Sequence, residues 1–130
     1  MDHCIYGYDL EKYAVNSSIT TPRTVQALHI DDATAVVGME SGQISVYDLR
    51  TAQPTQSWLQ THWVRGVGKI GTYIASGNDD GVVHIWDMRA SECVSEVKVH
   101  DEKILTMNVT GSEILTGSAD CTFKTTKIDL

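Results

Sequence analysis

The sequence predicts an all-β chain assembled from repeated, short antiparallel strands, and two observations carry that expectation. Three segments of the 130 residues line up at offsets of 39 and 40 residues, the kind of fixed period that marks a repeat architecture. Inside each segment, short β-branched and aromatic runs are bounded by Gly, Asp and Asn, and no window of useful length repeats at the helical period.

The second segment is the clearest. It reads Ala75-Ser76-Gly77-Asn78-Asp79-Asp80-Gly81-Val82-Val83-His84-Ile85-Trp86-Asp87-Met88. Val82 to Trp86 is strand-like, and Gly77 to Gly81 carries hairpin-turn chemistry. The first segment, Val36 to Leu49, and the third, Leu115 to Ile128, align with it on Gly38, Gly77 and Gly117. Upstream, the same offsets superpose Val25, Val64 and Ile104, then Leu28, Val67 and Met107. A fainter copy, Tyr8-Asp9-Leu10, precedes Tyr47-Asp48-Leu49 by 39 residues.

Composition narrows the function classes. The net charge of −7 and the lack of clustered Lys and Arg argue against direct binding of nucleic acid. No run approaches the apolar length of a membrane-spanning helix. Met1-Asp2-His3-Cys4 has no basic segment followed by an apolar one, so no signal peptide is expected. The sequons at Asn16 and Asn108 are then taken as coincidental. Cys4, Cys93 and Cys121 are odd in number and far apart, which fits reduced core thiols better than disulfides or zinc. An intracellular setting, cytoplasmic or nuclear, is expected, with no cofactor and no metal.

These residues resemble the WD-repeat family, the second segment most closely. Ser76 to Gly81 followed by Ile85-Trp86-Asp87 looks like that family's strand b, turn and strand c, and His62 stands where its Gly-His histidine would be, with Thr61 in place of the glycine. The resemblance implies β-propeller blades of four antiparallel strands. Residues 1–10 would be a strand of a partial blade, and the repeats would cover 11–49, 50–88 and 89–130. Three repeats fall short of the four to eight blades with which propellers close. A partial propeller is therefore expected, completed by blades of a longer chain or by a homo-oligomer, with the surplus N-terminal strand favouring the longer chain.

The resemblance also implies a structural tetrad of His62, Ser76, Asp80 and Trp86, hydrogen-bonded in one chain. Burying a turn carboxylate or an indole N–H without a partner would be costly, so the imidazole and hydroxyl would link them. The third segment keeps His100, Thr116 and Asp120 but has Thr126 at the tryptophan position. A sharper alternative makes Ser76, His62 and Asp80 a hydrolase triad. No G-x-S-x-G elbow accompanies it, and the expectation is that the chain is not an enzyme.

Family propellers bind partners on the narrow top face, which implies an interaction scaffold. The corresponding residues flank the first aliphatic of each strand a: Thr24 and Gln26, Trp63 and Arg65, Lys103 and Leu105. The turn positions are Glu40, Asp79 and Ala119. Trp63 and Arg65 stand out, since Trp and Arg dominate interface hot spots. Finally, Trp86-Asp87-Met88-Arg89 and Tyr47-Asp48-Leu49-Arg50 are similar to the W-D-x-R box of cullin-type ubiquitin ligase receptors, which would make Arg50 and Arg89 adaptor contacts. The alternative is that both arginines cap a turn.

Overall fold

The computed structural model describes the backbone of residues 4–9, 14–31, 33–60, 62–90 and 92–128, with side chains from residue 19 onward. Thr61 and the side chains of Cys4 and Asn16 lie outside the described residues. Those described are in strands and turns, with no helix among them, so the all-β expectation holds.

Strands β1 (Cys4–Asp9) and β2 (Ala14–Thr20) form a two-stranded ribbon. Blade I is a meander of β3 (Val25–Asp31), β4 (Thr34–Met39), β5 (Gln43–Asp48) and β6 (Gln53–Leu59). Blade II repeats it with β7 (Val64–Ile70), β8 (Tyr73–Asn78), β9 (Val82–Asp87) and β10 (Cys93–Lys98). Blade III has three strands, β11 (Ile104–Thr110), β12 (Glu113–Ser118) and β13 (Phe123–Lys127). All pairings are antiparallel.

The core lies between sheets rather than within any one of them. Val36, Ile44 and Val46 of blade I bury against Val64, Val67, Ile74 and Trp86 of blade II. Ala75, Val83 and Ile85 of blade II bury against Ile104 and Ile114 of blade III. Ile19 of the ribbon packs on Ala35, Val37, Met39 and Tyr47 of blade I. The close approach explains Gly38: a Cβ there would sit 2.3 Å from a Val64 methyl. A repeat buries its apolar faces only by stacking on a neighbour, and the 39- to 40-residue period is the length of one such unit.

Every inner strand opens with a bulge. Register shifts fall between Val25 and Ala27, Val64 and Gly66, and Ile104 and Thr106. Gln26, Arg65 and Leu105 are the unpaired residues, released from the ladder and re-aimed at the edge of the fold.

Candidate functional site

The bulge at β7 sets the geometry of the surface predicted to bind partners. Arg65 Nε donates to Asp79 Oδ1 at 2.6 Å, joining the start of β7 to the turn after β8. The same guanidinium lies 5.1 Å from the centroid of the Trp63 ring, within cation–π range. Trp63 remains 45% exposed. An indole held between solvent and a pinned guanidinium has little rotamer freedom left to lose on binding. Leu105 and Lys103 are exposed one blade further on, where the Lys103 carbonyl accepts from the Ala119 amide at 3.1 Å. In blade I, Gln26 and Glu40 are half-buried, and the Glu40 amide donates to the Thr24 carbonyl at 3.1 Å.

Thr24, expected on this surface, is buried. Trp63 and Lys103, at the equivalent positions, are exposed.

The expected four-residue tetrad is split in blade II. Trp86 Nε1 donates to Ser76 Oγ at 2.9 Å, and that hydroxyl donates to Gln60 Oε1 at 3.0 Å. Gln60 Nε2 in turn donates to the His62 carbonyl at 3.3 Å. His62 instead pairs through Nε2 with Asp80 Oδ2 at 2.6 Å, and these side chains are 43% and 54% exposed. Gln60 links the two pairs through the His62 main chain, and the His62 imidazole itself makes no hydrogen bond to Ser76 among the described residues.

The reason is backbone register. The Gln60 amide donates to the Gly42 carbonyl at 2.9 Å, as the His100 amide does to the Gly81 carbonyl at 3.1 Å. That bond selects the residue whose side chain enters the blade, and His62 lies beyond it at the exposed bend. The 40-residue offset was the available signal, since it takes His100 to Gln60 just as it takes Thr116 to Ser76 and Asp120 to Asp80. The hydrolase arrangement fails on the same geometry. Ser76 is fully buried and bonded to an amide instead of an imidazole, so His62 cannot act as its base.

Blade III assembles the ionisable version. His100 is buried, with Nε2 2.8 Å from Thr116 Oγ1 and Nδ1 2.9 Å from Asp120 Oδ2. The Thr122 hydroxyl makes a short hydrogen bond to Asp120 Oδ1. That hydroxyl first, and then His100, hold the Asp120 carboxyl well below the ordinary carboxylate range.

A pH dependence follows, with a definite sign. The unfolded carboxyl, near about 3.9, takes up its proton before the folded one does, so acid favours unfolding. The Asp120 contribution is complete above about pH 5 and is lost progressively as pH falls below about 4. Urea midpoints measured from neutral to acid pH should fall less steeply for Asp120→Asn than for the unsubstituted chain. Parallel curves would refute the assignment.

Arg89 donates through its amide and through Nε to Asp87 Oδ1, at 2.9 and 3.2 Å. Arg50 treats Asp48 the same way, at 2.9 and 3.4 Å. Both aspartates are pushed below the usual carboxylate range, Asp87 mainly by the Arg89 side chain and Asp48 mainly by the Arg50 amide. The arginines thus cap the turns after β5 and β9 while their side chains stay exposed. Among the described residues no cluster of His, Cys, Asp or Glu is arranged to hold a metal ion.

Trp58 makes contacts that the sequence motifs did not signal. Trp58 of β6 stacks on Trp86 across the blade I–II interface, with ring centroids 5.7 Å apart, and its Nε1 donates to the Ala90 carbonyl at 2.9 Å. His84 stacks on Trp86 from its own strand, its Nε2 3.2 Å from Glu96 Oε1.

Comparison with known proteins agrees with this architecture. Residues 52–87 match the family described as WD domain, G-beta repeat. Over 58 residues the chain is 38% identical to Protein SPA1-RELATED 3 of Arabidopsis thaliana, a match covering 42% of this chain and 7% of that protein. The chain therefore corresponds to a small part of that relative's length. Among solved structures, the computationally designed Ika4 protein superposes with a TM-score of 0.83 at 19% identity, covering 98% of this chain and 81% of the other. The designed Ika8 protein gives 0.80 at 20% identity, covering 97% and 40%. At such identities the likeness is one of fold, that of designed propellers. Residues 52–87 thus carry a WD repeat of that family, flanked by sheets of the same construction.

Proposed function

We propose that this chain is a non-catalytic interaction scaffold that binds partner proteins through the face carrying Trp63, Arg65, Lys103 and Leu105. WD-repeat chains as a class are protein-interaction scaffolds and are generally non-catalytic. The observation that carries the finer reading is the half-exposed Trp63 ring braced by Arg65, itself tied to Asp79. Crosslinking and affinity capture should lose partners at least about tenfold on Trp63→Ala, as for a central hot spot, while thermal unfolding stays unchanged. Retention of every partner would sink the assignment.

A second reading places an adaptor contact of a cullin-type ligase on Arg50 and Arg89, supported by their exposure at equivalent turns. In the same capture experiment, loss of a cullin adaptor on Arg89→Ala but not on Trp63→Ala distinguishes it. The proposed setting is intracellular, cytoplasmic or nuclear, which suits the free thiols of Cys93 and Cys121.

The partners also include further blades, from a longer chain or from another copy. Val67 and Met107 are covered at their interfaces, whereas Leu28, at the equivalent position of β3, is 45% exposed. On the far side, a Cβ on Gly117 would meet only Thr106 of its own blade, where those on Gly38 and Gly77 would strike the next one.

A further inference from the structure

We propose that Asp79 is a positioning residue for partner binding: it holds the Arg65 side chain, and through it the Trp63 ring, without touching the partner itself. The proposal rests on the reading of Trp63 as a contact residue. The Asp79 carboxylate contributes nothing to its own turn. That turn, between β8 and β9, is built by the buried Asn78, whose Oδ1 accepts from the Asp80 and Val82 amides at 2.9 and 3.2 Å. The Gly81 amide closes it on the Asn78 carbonyl at 3.3 Å. Among the described residues, Arg65 is the one hydrogen-bond partner of the Asp79 side chain.

The neighbouring blades show that the turn forms without it. In blade III the same turn carries Ala119, with Ser118 Oγ accepting from the Asp120 amide at 3.1 Å and the Cys121 amide bonded to the Ser118 carbonyl at 3.2 Å. The bulge residue there is Leu105, so the anion and the cation are missing together. In blade I the corresponding residues are Gln26 and Glu40, which cannot form an ion pair. Of the three, blade II alone couples its bulge to its turn by charge, and it alone carries a tryptophan before its inner strand. The Arg65–Asp79 pair is mostly out of solvent, its side chains 25% and 30% exposed, where a charge-assisted hydrogen bond is stronger than in open water. Held at Nε, the guanidinium keeps a fixed plane, and that plane restrains the indole 5.1 Å away. Without Asp79, Arg65 regains its rotamers and the indole its own. A partner must then remove that freedom on binding.

Indole nitrogen NMR relaxation in the free protein tests the hold. Asp79→Ala should increase the fast motion of the Trp63 Nε1–H. The indoles of Trp58 and Trp86, bonded to the Ala90 carbonyl and the Ser76 hydroxyl, should stay as they are. Should that variant fail to fold, Arg65→Leu, after Leu105, removes the other end of the bond and should loosen the same ring. Affinity for a partner captured through Trp63 should fall about two- to tenfold on Asp79→Ala, the cost of immobilising one released side chain. A Trp63 indole equally rigid without Asp79, or loosening shared by Trp58 and Trp86, would overturn the proposal. Affinity lost in Trp63→Ala but kept in Asp79→Ala strikes this proposal alone; affinity kept in both strikes the contact reading as well.

Discussion

Replacing His100 with alanine is expected to destabilise the fold by about 3 kcal/mol, against less than about 1 kcal/mol for His62→Ala. The two histidines precede inner strands of successive blades, and each is paired with an aspartate from a b–c turn. Their surroundings differ. His100 is buried and bridges Thr116, Asp120 and Thr122. Its removal leaves a buried hydroxyl without its imidazole and opens a cavity, and losses of both kinds add. The His62–Asp80 pair is half in solvent, where water replaces whatever the pair loses. Chemical denaturation of the two variants side by side checks this. Equal costs would mean that blade II depends on His62 after all, and that the Gln60–Ser76–Trp86 chain is not the internal brace of that blade.

Gly81→Ala is expected to cost at least about 3 kcal/mol, and Gly71→Ala only about 1 kcal/mol. Both glycines have positive φ, 77° and 60° respectively, so both substitutions carry the left-handed backbone penalty. Only Gly81 is also pressed against main chain. A Cβ there would lie 2.2 Å from the His100 carbonyl oxygen and 2.7 Å from that of Glu102, whereas nothing lies within 4 Å of one on Gly71. The crowded atoms cannot withdraw cheaply, because the Gly81 carbonyl accepts from both Val99 and His100 amides. Those bonds lead the chain out of blade II and position His100 for blade III. The two substitutions are chemically identical, so a difference in urea midpoint measures the tertiary contact alone. Midpoints shifted equally would show that the turn yields without disturbing His100.

Much of the fold was legible because its determinants are local. Strand alternation, the Asp-Gly turn and the offset linking Gly38, Gly77 and Gly117 all lie within one repeat length, and each repeat answers them in the same way. The expected contact positions follow the same offset in placement: Gln26, Arg65 and Leu105 are the bulge residues of β3, β7 and β11. The tetrad was misread where the family motif was followed in preference to the offset, which gave His62 the place that belongs to Gln60.

By itself, then, the sequence determined the all-β class, the repeat and the face on which Trp63 and Arg65 emerge, since each depends on period and pattern along the chain. Tertiary structure alone decided which side chain completes the hydrogen bonds of Ser76. That choice depends on which amide meets the Gly42 carbonyl, and two residues of slippage exchange a buried glutamine for an exposed histidine. It also decided that Trp58 and Trp86 stack across the interface between blades I and II. The partners in those contacts come from different blades, and the spacing between blades is set by packing at the inner strands.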